Sequence, residues 1–201
     1  MIVLGLTGSA AMGKSATAGM FAEEGIPVFD ADGVVHRLYD GEAAPLIEAA
    51  FPGTVSMGRV DRERLAAKVF DKPEALAKLE AIVHPLVRAA EEKFRADAKA
   101  SGARVAVLNT PLLLETGGGE RVDAVVVVTA PADVQRTRLF ARPNMTEERF
   151  RAMLARQMSD SEKRRRADFL IDTSRGFDAA RTDVRAILKQ VAEQGVPARR
   201  N

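Results

Sequence analysis

The chain has 201 residues, 46% of them hydrophobic and 29% charged, which excludes a disordered polymer and suits one globular domain able to bury its own core. With no cysteine and only two histidines it has no disulfide, no thiolate or histidine metal site and no cysteine nucleophile, and a net charge of +2 carries no general signature of nucleic-acid binding. No run reaches the roughly 18 apolar residues that span a membrane, and the first charge is Lys14, so the reading is a cytoplasmic protein with neither a leader nor a membrane partner.

Short apolar runs alternate with longer helical patterns, the signature of parallel strands joined by crossover helices. The spacing predicts strands over Ile2 to Leu6, Pro27 to Asp30, Arg104 to Asn109, Asp123 to Thr129 and Phe169 to Asp172. The third and fourth are near-continuous apolar runs, as strands buried on both faces should be. About seventy residues of helical character separate the second and third strands, too many for one crossover helix, and they read as an inserted helical subdomain. Within them Leu76, Leu79, Ile82 and Val83 recur at helical spacing, and Pro85 predicts a break or kink near His84. Gly117 to Gly119 reads as a flexible loop. From Arg136 to Arg166 the chain carries ten basic against four acidic residues, a local charge of +6. Pro143-Asn144 marks a turn there, and Ser159 with Glu162 predicts a capping box. A last helix over about Asp178 to Glu193 carries Ala180, Val184, Ile187, Leu188 and Val191 on one face, and the terminal PARRN is expected to fray.

The chemistry begins at the first strand-to-helix junction. Gly8, Ser9, Ala10, Ala11, Met12, Gly13, Lys14 and Ser15 fit the pattern G-x-x-x-x-G-K-[ST], followed by Ala16. Backbone N–H groups of such a loop and of the helix start converge on anionic oxygens, Lys14 reaches the β- and γ-phosphates, and Ser15 ligates Mg²⁺. Asp30 and Asp32 close the second strand. Two residues apart on a strand they face one side, toward the carboxyl edge of the sheet, where one carboxylate can take a proton from an attacking hydroxyl. Alternatively one of them caps the next helix. The basic run is either a solvated helical face or a lid whose arginines neutralise a transferred phosphoryl group, with Arg142 the residue to reach in. His84 has both a structural and a ligand reading, and His36 reads as packing.

Together GSAAMGKS, FDAD, VHPL, TPLLLE, and Arg142 with QMSDSEKRRRADFLID resemble the dephospho-CoA kinases, from about Leu4 to Asp172. The resemblance implies a three-layer α/β P-loop kinase fold with a parallel five-strand sheet. A nucleotide-binding core would take residues 1–38 and 104–201, a helical acceptor-binding insertion 39–103, and a lid 136–168. It implies ATP-dependent phosphorylation of the ribose 3′-hydroxyl of dephospho-CoA, giving coenzyme A. Asp32 would then be the general base, Lys14 and Ser15 would serve the phosphates and Mg²⁺, Arg142 would close over ATP, and Arg37, His84 and Pro85 would meet the acceptor. A monomer or weak homo-oligomer is expected. The loop departs from the glycine-rich family pattern at Ser9, Ala10, Ala11 and Ala16, and Ala11 carries strain if φ is positive there. Asn109 stands where many members have aspartate, so metal binding would lean on Ser15, Asp32 and the nucleotide. Another small-molecule P-loop kinase, or a nucleotide-binding module with weak catalysis, are the alternatives.

Overall fold

The structure, a computed structural model, describes residues 1–143, 145–155 and 157–197. Asn144 of the predicted turn, Arg156 of the basic run and the terminal residues 198–201 lie outside the described residues. The chain forms two compact units, one of Met1–Phe29 with Ala98–Asn201 and the other of Asp30–Asp97.

The first unit is built on a five-stranded parallel sheet in the order β2-β5-β1-β6-β7. Its strands are β1 (Ile2–Thr7), β2 (Val28–Asp30), β5 (Val105–Asn109), β6 (Ala124–Thr129) and β7 (Phe169–Asp172), each within a residue of the boundaries that the sequence predicts. β1 is central. It pairs with β5 from Ile2↔Val105 to Leu6↔Asn109, and with β6 from Leu4↔Ala124 to Thr7↔Val127. All of β5 and β6 is buried, which explains why their sequences do not alternate.

One face of this sheet carries an extensive apolar cluster. Leu4, Leu6, Val105, Val107, Val126, Val128 and Ile171 project there at every second position and meet Ala18 and Phe21 of α1 (Lys14–Glu23). Ala180, Val184, Ile187 and Val191 of α9 (Phe177–Gln194) complete it, with Leu188 packed at its margin. The four buried positions of α9 fall three or four residues apart, the 3.6-residue periodicity of an amphipathic helix. Phe21 has no exposed surface. α6 (Ala132–Phe140), α7 (Glu147–Ala155) and α8 (Asp160–Arg165) follow β6.

The capping box of α8 forms by half. Ser159 Oγ accepts the N–H of Glu162 at 3.2 Å, but the Glu162 carboxylate turns to Arg165 and Arg166 instead of back to Ser159. The glycine run is no flexible loop. Gly118–Arg121 forms a 3₁₀ turn, with Gly118 buried against Leu113.

The second unit is mostly helical, with α2 (Ala31–Tyr39), α3 (Ala44–Ala50), α4 (Arg62–Val69) and most of α5 (Pro73–Ala100). α5 runs as one helix through Pro85, so the predicted break does not occur. Proline removes one donor and crowds one carbonyl, a local cost of about 3 kcal/mol. Burial of Leu79 and Val83 ahead of it and the Arg95–Glu91 pair beyond it hold the rest of the ladder. A two-stranded hairpin of β3 (Val55–Ser56) and β4 (Arg59–Val60) turns through Met57 and Gly58, both at positive φ. Sequence reading missed it, because Met-Gly is a weak turn signal beside Asn-Gly. The Glu48 carboxylate accepts the N–H groups of Gly53, Thr54 and Val55, which ties α3 to this hairpin. Among the described residues no helix is long and apolar enough to cross a membrane.

Candidate active site

β1 ends at Thr7 and α1 begins at Lys14, so Gly8 to Gly13 form the connection at the carboxyl edge of the central strand. There the strand order reverses, with β5 on one side and β6 on the other, the crevice where open α/β sheets hold ligands. Gly8 must be glycine because a Cβ would lie 2.5 Å from the carbonyl oxygen of Val128. Gly13 must be glycine twice over. Its φ is 94°, and a Cβ would stand 3.0 Å from the methyl of Thr173. At the N-cap position Gly13 offers no side chain to the first turn of α1, whose N–H groups and dipole then favour anionic oxygens.

Ala11 sits at φ 59°, the left-handed region in which an L residue costs about 1–2 kcal/mol. The strain that the sequence raised as a condition is therefore present. Lys14 Nζ donates to Asn109 Oδ1 at 2.7 Å, at the end of β5, where Asn109 is buried. Asn109 thus holds the loop lysine at the edge of the strand. Ser15 is exposed on the first turn of α1, and Ala16 follows it. Among the described residues no group of three or more His, Asp or Glu could hold a metal. A single serine hydroxyl beside phosphate oxygens fits Mg²⁺, which keeps most of its waters and takes few protein ligands.

Three side chains from distant elements grip the loop, and no local spacing in the sequence announces these contacts. Gln135 of α6 donates from Nε2 to the Ala10 carbonyl at 2.8 Å, and Gln157 Oε1 accepts the Ala10 N–H at 3.1 Å. Thr173 Oγ1 lies 2.8 Å from the Met12 carbonyl and accepts from Arg138 at 2.7 Å, while Arg138 also donates to the Thr173 carbonyl at 2.9 Å. Polar residues more than a hundred positions from their partners have no local pattern to betray them.

Several arginines of the basic segment are spent on structure. Arg136 makes a two-pronged bond to Glu147 and stacks 4.6 Å from the Phe140 ring and 5.5 Å from that of Phe150, joining α6 to α7. The pairing with Arg136 above all, with Arg151 adding to it, holds the Glu147 carboxyl below the usual carboxylate range. Arg165 and Arg166 share Glu162. Lys163 is wholly buried and pairs with Glu115 at 2.9 Å. Arg142 follows α6 and is exposed, and no described residue of α7 is buried.

The remaining candidates lie in the second unit. Asp30 is the last residue of β2 and Asp32 the second of α2. The expectation that both share one strand face is therefore corrected. The helix starts at Ala31, directly after the strand, and the turn of the backbone separates the pair. Asp30 occupies the N-cap position without a side-chain cap bond, and both carboxylates are exposed. The Asp30 carboxylate and the Arg37 guanidinium flank Gly33, where a Cβ would lie 2.8 Å from Asp30 Oδ2 and 3.6 Å from Arg37 Nη1. His84 and Pro85 are exposed in the middle of α5, and His36 on α2 meets Arg62 at 3.1 Å.

A family model described as dephospho-CoA kinase matches residues 2–178. A dephospho-CoA kinase of Rhodopseudomonas palustris is 58% identical over 201 residues, the full length of both chains. Among solved structures, TT1252 from Thermus thermophilus superposes with a TM-score of 0.83 at 32% identity, covering 94% of this chain and 97% of that one. Dephospho-CoA kinase from Campylobacter jejuni gives a TM-score of 0.66 at 25% identity, covering 94% and 96%. With a loop of the G-x-x-x-x-G-K-[ST] pattern seated at the switch point of a parallel sheet and this likeness along its whole length, the chain belongs to the dephospho-CoA kinase family.

Proposed function

We propose that the protein transfers the γ-phosphoryl group of ATP to the ribose 3′-hydroxyl of dephospho-CoA, giving coenzyme A and ADP. The observation that carries this reading is the loop Gly8–Ser15, with left-handed Gly13 opening α1 and Lys14 fixed by Asn109, in a chain of this family. In the transfer, the 3′-oxygen forms a bond to the γ-phosphorus as the bond to the bridging oxygen breaks and ADP leaves. The hydroxyl proton passes to the exposed carboxylate of Asp32, whose contribution as a base is about 10²–10⁴-fold. Lys14 and the loop N–H groups hold the phosphates in line and offset the charge that spreads over them.

Mg²⁺ supplies further charge neutralisation when bound, and the Ser15 hydroxyl would hold it together with phosphate oxygens. Residues 136–168 act as a lid, with Arg142 its phosphate-facing cation. The absence of buried residues in α7 supports this, since elements that open are drawn from the weakly packed end of a fold. Residues 39–103 take the acceptor, with Arg37, His84 and Pro85 among its contacts. The protein works in the cytoplasm as a monomer or weak homo-oligomer.

The test is ADP release from MgATP with and without dephospho-CoA. Acceptor-dependent release is expected, lowered about 10²–10⁴-fold in kcat by Asp32→Asn with KM for ATP little changed. ATP binding with no acceptor-dependent release would refute the assignment.

A further inference from the structure

We propose that Gln135 and Gln157 are positioning residues of the phosphate-binding loop, which hold both polar groups of Ala10 and thereby force Ala11 into its left-handed conformation. The inference rests on the reading of this loop as the ATP site. Gln157 Oε1 accepts the Ala10 N–H at 3.1 Å and Gln135 Nε2 donates to the Ala10 carbonyl at 2.8 Å. These two bonds fix the peptide planes on either side of Ala10, and the second plane contains the nitrogen of Ala11. On the far side the Met12 N–H, in the next peptide plane, donates to the Ser9 carbonyl at 3.2 Å, and the Met12 carbonyl accepts from the hydroxyl of Thr173 at 2.8 Å. Ala11, at φ 59°, is therefore bracketed by two anchored neighbours.

A glycine at this position would take the same conformation unaided, because it has no Cβ to clash. An alanine needs the surroundings to impose it, since a strained residue persists only where its neighbours over-determine it. Gln135 is 6% exposed, and it spends a buried amide on this one carbonyl. It adjoins Arg136 at the start of the arginine-rich segment, and Gln157 lies between α7 and α8. The loop thus takes its shape from one residue just before the proposed lid and one within it, and a disturbance of that segment reaches ATP through Ala10.

The experiment places Gln157→Met and Gln135→Met in the wild-type chain and in an Ala11→Gly chain, and reads KM for ATP, kcat at saturating ATP and the rise of Tm with ATP. Methionine keeps the length of glutamine and removes its hydrogen bond. In the wild-type background each substitution is expected to raise KM for ATP about five- to tenfold, the effect of one hydrogen bond, with kcat within about twofold. In the Ala11→Gly background the same substitutions should raise KM less than about twofold. Equal factors in the two backgrounds overturn the proposal, because the glutamines then act independently of the strain at Ala11. An unchanged KM in the wild-type background, or a fall in kcat in both backgrounds, also overturns it. Should Gln135→Met unfold the chain at its buried site, Gln157→Met at a half-buried one carries the comparison. A wild-type Tm that ATP does not raise would instead defeat the nucleotide reading beneath the proposal, and the proposal with it.

Discussion

Lys163 is a severe test of how the first unit is held together. Its side chain has 0% exposure, and its ammonium stands 2.9 Å from Glu115 Oε1, on a carboxylate 14% exposed. The same oxygen accepts the Met158 N–H at 2.8 Å, while Oε2 is buried without a hydrogen-bond partner among the described residues. Lys163→Met removes the cation and leaves a carboxylate with one N–H to answer for its charge. Breaking a buried pair in this way costs about 3–5 kcal/mol. For a chain of this size each kcal/mol lowers Tm by about 2–4 °C, so the loss should be about 6–20 °C. Adding Glu115→Gln removes the stranded charge and keeps the acceptor for Met158. The double variant should recover to within about 1–2 kcal/mol of wild type, since a buried ion pair replaced whole is close to neutral. Urea unfolding of the four proteins gives the coupling energy directly, with about 2 kcal/mol or more expected. A Lys163→Met cost under about 1 kcal/mol, or single costs that simply add in the double variant, would refute the reasoning.

Other consequences are open to the same methods. Phe21 is fully buried between α1 and the sheet, and Phe21→Ala should cost about 3–5 kcal/mol in urea unfolding; a smaller loss would mean that the cluster collapses around the cavity. The Gly53 N–H first, and those of Val55 and Thr54 after it, hold the Glu48 carboxyl below the usual carboxylate range against a smaller opposing effect of desolvation. A carboxyl lowered in the folded chain stabilises it above the unfolded value, about pH 4.3, and that stability is lost as pH falls through the folded value. The stability difference between wild type and Glu48→Gln should therefore be steady above about pH 5 and close as pH falls below about 4. A gap independent of pH would show that the glutamate acts by shape alone.

The sheet was legible because buried parallel strands and a P-loop are local patterns. Val105–Asn109 and Ala124–Thr129 are unbroken apolar runs, and α9 shows its buried stripe as plain periodicity. The strain at Ala11 was legible too, from the mismatch between an alanine and a loop that favours glycine. What local pattern misjudged were balances between local cost and tertiary gain. Pro85 disfavours helix, yet α5 continues because packing on either side outweighs one lost bond. Asp32 read as strand because alternation continues through FDAD, whereas the helix begins at Ala31 and moves it to a first turn. The grips of Gln135, Gln157 and Thr173 on the loop join positions 125, 147 and 161 residues apart, a distance at which no sequence pattern speaks.

The central claim is a reaction at one oxygen of one acceptor, and the identity of the product tests it most directly. The wild-type protein should be incubated with MgATP and dephospho-CoA, and the product analysed by mass and by the position of the new phosphate. One phosphoryl group gained per acceptor, on the ribose 3′-oxygen, is expected, with ADP formed in equal amount. A phosphate on another oxygen, or ADP formed while dephospho-CoA stays unchanged, would contradict it.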